Sequence, residues 1–365
     1  MLFKYAEKLL PHVISPESLD HYLGRGWYRM GANLFTTHFL FFQNQPFSAV
    51  WIRLDLEGFA FSRSQRKLMR RNEKLFRSAC QPIVIDRERE LLFQRYAAEF
   101  DGILSPSITD SLEHYEGQTA FNTWETTVRE RTSGKLVALS YFDLGAATVA
   151  SINGFYDPPL RSFSLGYYTM LLEIEYCLAH GYRYYYPGYV VPGYHRFDYK
   201  LRIGDCEYLD VRDLNWKPFA AADIRANGPV EGQRTHLEAL SQRLVADTGA
   251  GQLKIYPLFE ASLYDIWNDE YFPYPYCIVL SDPEEGDLLV AAYDPGEQEY
   301  LILLCSFMLQ TQLLFNATYL EAFPPDRFHT KLMAVRHIAV RTKDPEVIYQ
   351  ACRTVLSSRS THSSD

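Results

Sequence analysis

The spacing of apolar and polar positions changes several times along the chain, and each change predicts a different element. From Trp124 onward apolar residues recur at every second position, which predicts three strands separated by turns at Ser133-Gly134 and Leu144-Gly145. Asp157-Pro158-Pro159 ends the third strand, because proline cannot donate a hydrogen bond to a strand ladder. These residues therefore predict a run of antiparallel strands near the middle of the chain.

A helical spacing of apolar residues follows at once. Ser164 is a plausible N-cap, the apolar positions from Leu165 to Leu178 fit one amphipathic helix, and Gly181 is expected at its left-handed C-cap. Residues 182–191 are then typical of a strand and rich in tyrosine, whose hydroxyls need partners when buried, so we expect some of these rings to line a cleft. The resulting order β-β-β-α-β over residues 124–191 predicts an α+β fold.

The flanking regions show further elements. Ser15-Pro16 predicts a helix start, and residues 33–56 predict a hairpin that turns at residues 43–47. A basic helix is expected over residues 62–77, and another over residues 86–102, closed by Gly102.

Beyond residue 215 the pattern predicts a linker and then a separate set of elements. They are a helix over 231–247, strand-like runs within 252–310, a basic segment over 327–341 and a last helix near 345–357. We therefore divide the chain into an N-terminal region (1–80), a core (81–214) and a C-terminal α+β extension (215–365) of unknown role.

Composition narrows the classes of function. The chain has 365 residues, a net charge of −9 and 15% aromatic residues, so any contact with RNA must be local. No run of 18 apolar residues occurs and the N-terminus does not resemble a signal peptide, which favours a cytoplasmic protein without a membrane span. The six cysteines are scattered and lack metal-ligand spacing, and no phosphate-binding or dinucleotide fingerprint is present, so we expect neither a metal nor a cofactor.

One dense basic stretch stands out against the acidic composition. Within residues 62–77, seven cations and one glutamate recur at steps of three and four. A solvated helix face is the simpler interpretation, but the local excess of charge favours a phosphate-binding surface. The residues that we expect to contact RNA are Arg63, Arg66, Lys67, Arg70 and Arg71.

The start of the predicted central helix is the second candidate site. The N-terminus of a helix offers free N–H groups and a positive dipole end, which suit a phosphate or a developing oxyanion. Gly166 permits close approach of the backbone, although a tight packing turn explains this glycine equally well.

The order of these elements resembles the plan of the GNAT acyltransferases, and four sequence blocks narrow the resemblance. Residues 20–210 resemble the aminoacyl-tRNA–protein transferases, the arginyltransferases and bacterial leucyl-type enzymes. The blocks are Leu23 to Gly31, Phe59 to Asn72, Phe155-Tyr156-Asp157-Pro158 with Ser164-Leu165-Gly166, and Tyr186-Pro187-Gly188-Tyr189 through Tyr199-Lys200.

The resemblance implies transfer of an aminoacyl group from a charged tRNA to the N-terminal amine of a protein, as in arginyl or leucyl N-degron tagging. It implies a GNAT-like core and no cofactor. The catalytic residues that it implies are Asp157, Ser164, Tyr189 and Lys200, and the substrate-binding residues are Leu165, Gly166, Tyr186, Gly188 and Tyr199.

The chain also departs from the family. Members commonly carry a cysteine cluster after the opening strand, where this chain reads FLFFQNQPFSAVWIRLDL, and Tyr194 stands where a cysteine is frequent. An Arg-His pair is replaced near Tyr96. Two alternatives therefore stay open: a GNAT acyltransferase that uses acyl-CoA or another donor, and a non-catalytic paralogue that binds a protein partner.

Overall fold

The computed structural model describes residues 2–100, 104–112, 120–220, 224, 228–263, 270–281, 288–307 and 320–362. Within these ranges the strands form an eight-stranded sheet, a five-stranded sheet, a three-stranded sheet and a two-stranded hairpin. None of the helices in these ranges is long and apolar enough to cross a membrane.

The N-terminal region folds as a small sheet of order β1-β3-β2 beside one helix. Ser15 caps this helix by accepting a 3.1 Å hydrogen bond from the Ser18 N–H, as the Ser-Pro start predicts. The elements are β1 (Ala6–Leu9), α1 (Pro16–Gly24), β2 (Tyr28–Met30), β3 (Asn33–Thr37), β4 (Phe39–Phe42) and β5 (Gln45–Ser48).

The central sheet has the order β13-β12-β6-β11-β10-β9-β8-β7 and is antiparallel except between β10 and β11. The predicted order β-β-β-α-β is confirmed, with turns at the expected positions. The strands are β6 (Val50–Asp55), β7 (Phe76–Pro82), β8 (Thr123–Glu130), β9 (Leu136–Leu144), β10 (Thr148–Tyr156), β11 (Tyr184–Val190), β12 (Cys206–Leu209) and β13 (Trp216–Pro218).

Helices cover this sheet. The central one packs its apolar residues against β9 and β10 and ends at Gly181 (φ 76°), a left-handed position that glycine adopts without strain. The helices are α2 (Arg63–Glu73), α3 (Arg87–Ala98), α4 (Ile108–Leu112) and α5 (Leu165–His180). Two 3₁₀ turns connect these elements. Pro158–Phe163 joins β10 to α5, and His195–Ile203 joins β11 to β12.

The C-terminal extension is an α+β unit, as predicted. Its antiparallel sheet has the order β14-β15-β16-β17-β18, and both of its long helices contact this sheet and each other. Asp294 joins it to the N-terminus by accepting hydrogen bonds from Tyr5 (2.5 Å) and Tyr274 (2.8 Å). The elements are α6 (Pro229–Thr248), β14 (Leu253–Ile255), β15 (Tyr276–Val279), β16 (Leu288–Asp294), β17 (Glu299–Phe307), β18 (Met333–Thr342) and α7 (Pro345–His362).

Several local predictions are wrong. The hairpin predicted over residues 33–56 is only β4–β5, with a turn at Gln43-Asn44, while β3 and β6 join two different sheets. His38 separates β3 from the hairpin, and Ala49 separates the hairpin from β6. The Ala49 N–H donates a 2.9 Å hydrogen bond to the His38 carbonyl and so closes the base of the hairpin. The three-residue strand β13 lies in the predicted linker and pairs with β12.

Two further boundaries differ from those expected. The basic helix ends at Glu73 rather than near residue 77, since Phe76 opens β7 at the sheet edge. The basic segment of residues 327–341 mostly forms β18. Gly102 lies outside the described residues. The division at residues 80 and 214 stays a prediction, although residue 80 falls within β7 and the first two regions share one sheet.

Candidate active site

The parallel strands β10 and β11 separate after a short stretch of pairing. Thr148–Ala150 pairs with Tyr184–Tyr186, and the pairing between the two strands ends there. A register shift on β10 lies after Ser151 and one on β11 lies after Tyr185, so β10 continues along β9 while β11 continues along β6. The carboxyl ends of the two strands therefore diverge and leave an opening in the sheet.

A buried glutamate lies at the base of this opening. Glu173 of α5 is fully buried and accepts hydrogen bonds from Ser140 of β9, from Tyr185 of β11 (2.6 Å) and from Ser151 of β10. Burial raises the pKa of Glu173 to about 7, against the lowering effect of these donors. Sequence reasoning missed this residue because the spacing in α5 indicates apolar packing alone; a lone acid on that face is the only signal.

The start of α5 lies beside the same opening. Ser164 is the N-cap residue of α5, as predicted, but it adopts a left-handed conformation (φ 53°, ψ 44°) and its side chain makes no capping hydrogen bond. Such a backbone is uncommon for a residue with a Cβ atom. Leu165 is fully buried, and a Cβ at Gly166 would lie 3.5 Å from the Tyr156 ring, an ordinary contact. The glycine thus lies close to the end of β10.

Asp157 is held in ion pairs at the end of β10. Its carboxylate lies 2.5 Å from Lys135 Nζ and 3.2 Å from Arg95 Nε. Burial favours the neutral acid, but the two cations outweigh it and hold the pKa of Asp157 below its usual value. Asp157 is therefore an ionised carboxylate whose charge is balanced by two cations, and its catalytic role stays a prediction.

Lys200 lies against the end of β11. Its Nζ donates a 3.1 Å hydrogen bond to the Tyr189 carbonyl, and it lies 5.3 Å from the ring centres of Tyr189 and Phe197. Loss of hydration lowers the pKa of Lys200 to about 8, so the ammonium form still dominates at pH 7. Gly188 (φ 95°) permits this approach, since a Cβ there would lie 3.1 Å from Nζ.

The C-terminal extension places an acidic residue, Glu260, near Tyr189. Burial, and then the carboxylate of Glu260, raise the pKa of Tyr189 to about 12. Burial also raises the pKa of Glu260 to about 7. Glu260 lies far from Tyr189 in sequence and has no motif around it, so it could not be found from the sequence.

The remaining two tyrosines lie apart from each other. Tyr199 is 42% exposed as a whole, but loss of hydration around its hydroxyl, and then the neighbouring Tyr96 and Glu173, raise the pKa of Tyr199 to about 12. Tyr186 points to the other face of the sheet, where its ring is 5.5 Å from that of Trp216. The structure thus brings Tyr199, Lys200, Gly188 and Tyr189 to one end of β11 and leaves Tyr186 in the core.

Helix α2 has one buried polar face and one exposed basic face. Gln65 Nε2 donates hydrogen bonds to the Arg202 carbonyl (3.0 Å), the Ile203 carbonyl (2.8 Å) and the Tyr167 hydroxyl (3.1 Å). Asn72 Nδ2 donates a 3.0 Å hydrogen bond to the Phe163 carbonyl. Asn72 therefore fixes α2 to the 3₁₀ turn before α5, and Gln65 fixes it to the 3₁₀ turn after β11.

The basic face of α2 points into solvent. Arg63, Arg66, Lys67, Arg70 and Arg71 are exposed, and none of them forms an ion pair within the described part of the chain. Arg66 donates to the Phe61 carbonyl (2.5 Å), and Arg71 donates to the Ser162 carbonyl (3.4 Å) and to Asn72 Oδ1 (3.4 Å). Unpaired cations on a rigid helix suit a ligand with several phosphates.

The described residues contain no group of three or more histidine, cysteine or acidic side chains that could hold a metal ion. The arrangement offers an opening in a sheet, the ammonium group of Lys200, which has no carboxylate partner in the described ranges, and a fixed basic helix beside them. Such a site can bind a polyanion and polarise a carbonyl group.

Comparison with known proteins identifies the chain. Residues 88–210 match the family described as "Arginine-tRNA-protein transferase, C terminus". An aspartate/glutamate leucyltransferase of Phenylobacterium zucineum is 30% identical over 191 residues, which cover 51% of this chain and 73% of the relative. An aspartate/glutamate leucyltransferase of Ruegeria pomeroyi is 32% identical over 163 residues, which cover 44% of this chain and 59% of the relative. Among solved structures, a tandem GNAT protein of the clavulanic acid pathway has a TM-score of 0.31 and 12% identity, covering 59% of this chain and 60% of that one.

The chain is therefore an enzyme of the aminoacyltransferase class. It belongs to the family of aminoacyl-tRNA–protein transferases.

Proposed function

We propose that this enzyme transfers a leucyl or arginyl group from a charged tRNA to the N-terminal amine of a protein that begins with aspartate or glutamate. Charged tRNA and a protein N-terminus are its two partners, and no cofactor takes part. Tagging of this type acts on N-degrons in the cytoplasm. The relatives named aspartate/glutamate leucyltransferase support this choice of donor and acceptor.

One structural relationship carries the proposal. Gln65 joins the exposed basic face of α2 to the 3₁₀ turn that contains Lys200. An RNA acceptor stem on α2 therefore delivers its 3′ end toward the opening between β10 and β11. The basic face of α2 and the turn that contains Lys200 are therefore held at a fixed distance from each other. This fixed distance would position the two substrates, which is the main requirement of a reaction between two large molecules.

The reaction needs little chemical assistance. The neutral N-terminal amine attacks the ester carbonyl, the amide C–N bond forms, and the ester C–O bond to the ribose breaks. The net proton moves from the amine to the ribose hydroxyl. The ester is more reactive than the amide that replaces it, so holding the amine and the carbonyl together supplies much of the rate.

Lys200 fits the acidic side chain of the acceptor. Its ammonium group bonds to one backbone carbonyl and has no carboxylate partner within the described ranges. A half-buried ammonium favours a carboxylate over the uncharged amide of the same shape. Gly188 and Tyr189 lie against this ammonium group, and Gly166 lies beside the Tyr156 ring at the end of β10. We assign Tyr199, Ser164 and Leu165 to the same site from the family resemblance, although Leu165 is fully buried.

A transfer assay tests the proposal. The enzyme is incubated with leucyl-tRNA or arginyl-tRNA and with peptides that begin with Asp, Glu, Asn or Gln, and label is followed into peptide. We expect transfer to the Asp and Glu peptides. Lys200→Gln should remove the preference for Asp over Asn, whereas Lys254→Gln, which removes a lysine bonded to the Pro325 and Asp326 carbonyls, should keep it.

Two results would contradict the proposal. Absence of transfer from every charged tRNA, together with acyl transfer from acyl-CoA, would favour the GNAT alternative. Absence of both activities in a folded protein would favour a non-catalytic binding role.

A further inference from the structure

The hairpin β4–β5 places the rings of Phe42 and Phe47 against the chain segment that carries Tyr194, Phe197 and Lys200. We propose that the partly exposed rings of Phe42, Phe47, Tyr194 and Phe197, called the aromatic surface below, bind the unpaired base of the 3′-terminal nucleotide of the donor tRNA by stacking. This inference rests on the proposed function.

The rings form one continuous group. Phe42 and Tyr194 are stacked, with ring centres 5.3 Å apart and planes at 14°. Tyr194 lies 6.0 Å from Phe47 and 6.0 Å from Phe197. All four side chains keep part of their surface in solvent. A cluster of aromatic rings that stays in partial contact with solvent suits stacking with a nucleobase.

Positive charge lies directly beside these rings. Lys200 Nζ is 5.3 Å from the centre of the Phe197 ring, and its one described hydrogen bond goes to a backbone carbonyl. The 3₁₀ turn that carries Phe197 is the one that Gln65 ties to α2. The basic helix, Lys200 and the aromatic surface therefore follow one another along a single fixed part of an acidic protein.

This order favours RNA over a peptide as the occupant. The 3′ end of a tRNA is single-stranded, and its last ribose carries both the base and the aminoacyl ester. The base must bind within a few ångströms of the reacting carbonyl. A peptide with an acidic first residue supplies the anion for Lys200 but no flat group for the neighbouring rings, whereas the nucleotide that carries the ester supplies a base.

Binding is measured with an uncharged tRNA acceptor minihelix whose terminal adenine is replaced by 2-aminopurine, since stacking quenches its fluorescence. We expect quenching with the wild-type enzyme and its loss in Phe42→Ala and Tyr194→Ala. The KM for charged tRNA should rise about tenfold in these variants, which corresponds to about 1.4 kcal/mol of stacking. The kcat at saturating tRNA and the KM for the peptide should change less than twofold.

Further variants separate stacking from folding. Phe42→Tyr and Tyr194→Phe keep a ring at each position and should restore quenching. Phe41→Ala alters the opposite face of the same hairpin, where Phe41 packs 5.6 Å from Phe323, and should leave the KM for tRNA unchanged.

Three outcomes would refute the nucleobase site or the activity on which it rests. Unchanged quenching in both alanine variants, or a rise in the KM for the peptide instead of that for tRNA, overturns the inference. Transfer by the wild-type enzyme without quenching overturns it and leaves the proposed function intact. Quenching that depends on the aromatic surface, in an enzyme that transfers nothing, refutes the proposed function while the nucleobase site stands.

Discussion

The hydroxyl of Tyr185 donates a 2.6 Å hydrogen bond to the carboxylate of Glu173, and this pair lies where β10 and β11 separate. Ser140 and Ser151 complete the set of donors, so that one side chain of α5 bonds to three neighbouring strands. Both changes of register occur next to residues in this set. Glu173 therefore positions the strand ends that border the opening.

Glu173 should give the stability of the enzyme a distinct pH dependence. Burial raises its pKa from 4.5 to about 7, so the folded protein holds this proton more tightly than the unfolded chain. The stabilisation is complete below about pH 4.5 and is lost as the pH rises through 7. Urea denaturation of the wild type and of Glu173→Gln at pH 5, 6, 7 and 8 measures it.

The difference in unfolding free energy between the two proteins should change by up to about 3 kcal/mol across this range. Other groups that titrate here, including Glu260, are present in both proteins and cancel. A difference that is independent of pH would show that the three donors keep Glu173 ionised throughout.

Local signals explain what the sequence predicts well. The β-β-β-α-β order follows from a change of period, and the ends of α1 and α5 follow from Ser15 and Gly181. Each of these signals involves residues that are close in sequence. The strand-like runs within residues 252–310 of the C-terminal extension were predictable for the same reason.

Long-range contacts explain what the sequence does not reveal. Glu173 bonds to strands before and after it, and nothing near it in sequence indicates a buried charge. The hairpin over residues 33–56 was misassigned because β3 and β6 find partners in different sheets. The arginines of α2 were predicted as a site, but the buried Gln65 that positions them was not, because its acceptors are more than 100 residues away.

Replacing Gln65 tests positioning separately from charge. Gln65→Met keeps the volume but removes the donor of the Ile203 carbonyl and the acceptor of the Ser62 N–H, while the Arg202 carbonyl keeps its bond from the Tyr167 hydroxyl. This change should destabilise the protein by about 1–3 kcal/mol. Because α2 is then held less firmly, kcat/KM for charged tRNA should also fall. Urea denaturation measures the loss of stability, and the transfer assay measures kcat/KM. Gln94→Met, at an exposed position of α3, should change neither quantity. Normal transfer by a destabilised Gln65→Met enzyme would limit Gln65 to a structural role.

Replacing cations on α2 tests the RNA surface itself. Arg63, Lys67 and Arg70 are exposed and make no side-chain hydrogen bond or ion pair in the described ranges, so their replacement should not affect folding. In the triple variant to Gln, the slope of log Kd for tRNA against log salt should fall by about 0.7–0.9 for each phosphate that the enzyme no longer neutralises. Filter binding at a series of salt concentrations measures this slope.

A matched triple variant controls for net charge. Arg234, Lys343 and Arg353 are exposed cations of the C-terminal extension, and their replacement by Gln lowers the net charge by the same amount. The salt slope should then match that of the wild type. Equal effects of the two triple variants would mean that tRNA responds to overall charge, and the assignment of α2 would be wrong.

Two glycines separate backbone strain from the position of Lys200. Gly188 (φ 95°) and Gly181 (φ 76°) both adopt conformations that disfavour a side chain, but only at Gly188 would a Cβ meet another atom, Lys200 Nζ at 3.1 Å. Each change to alanine should therefore cost about 1–2 kcal/mol of stability. Gly188→Ala should in addition move the ammonium group and lower kcat/KM for an Asp peptide, while Gly181→Ala keeps it. Denaturation and transfer assays on both variants measure the two effects, and equal transfer by the two would show that the position of Lys200 does not matter.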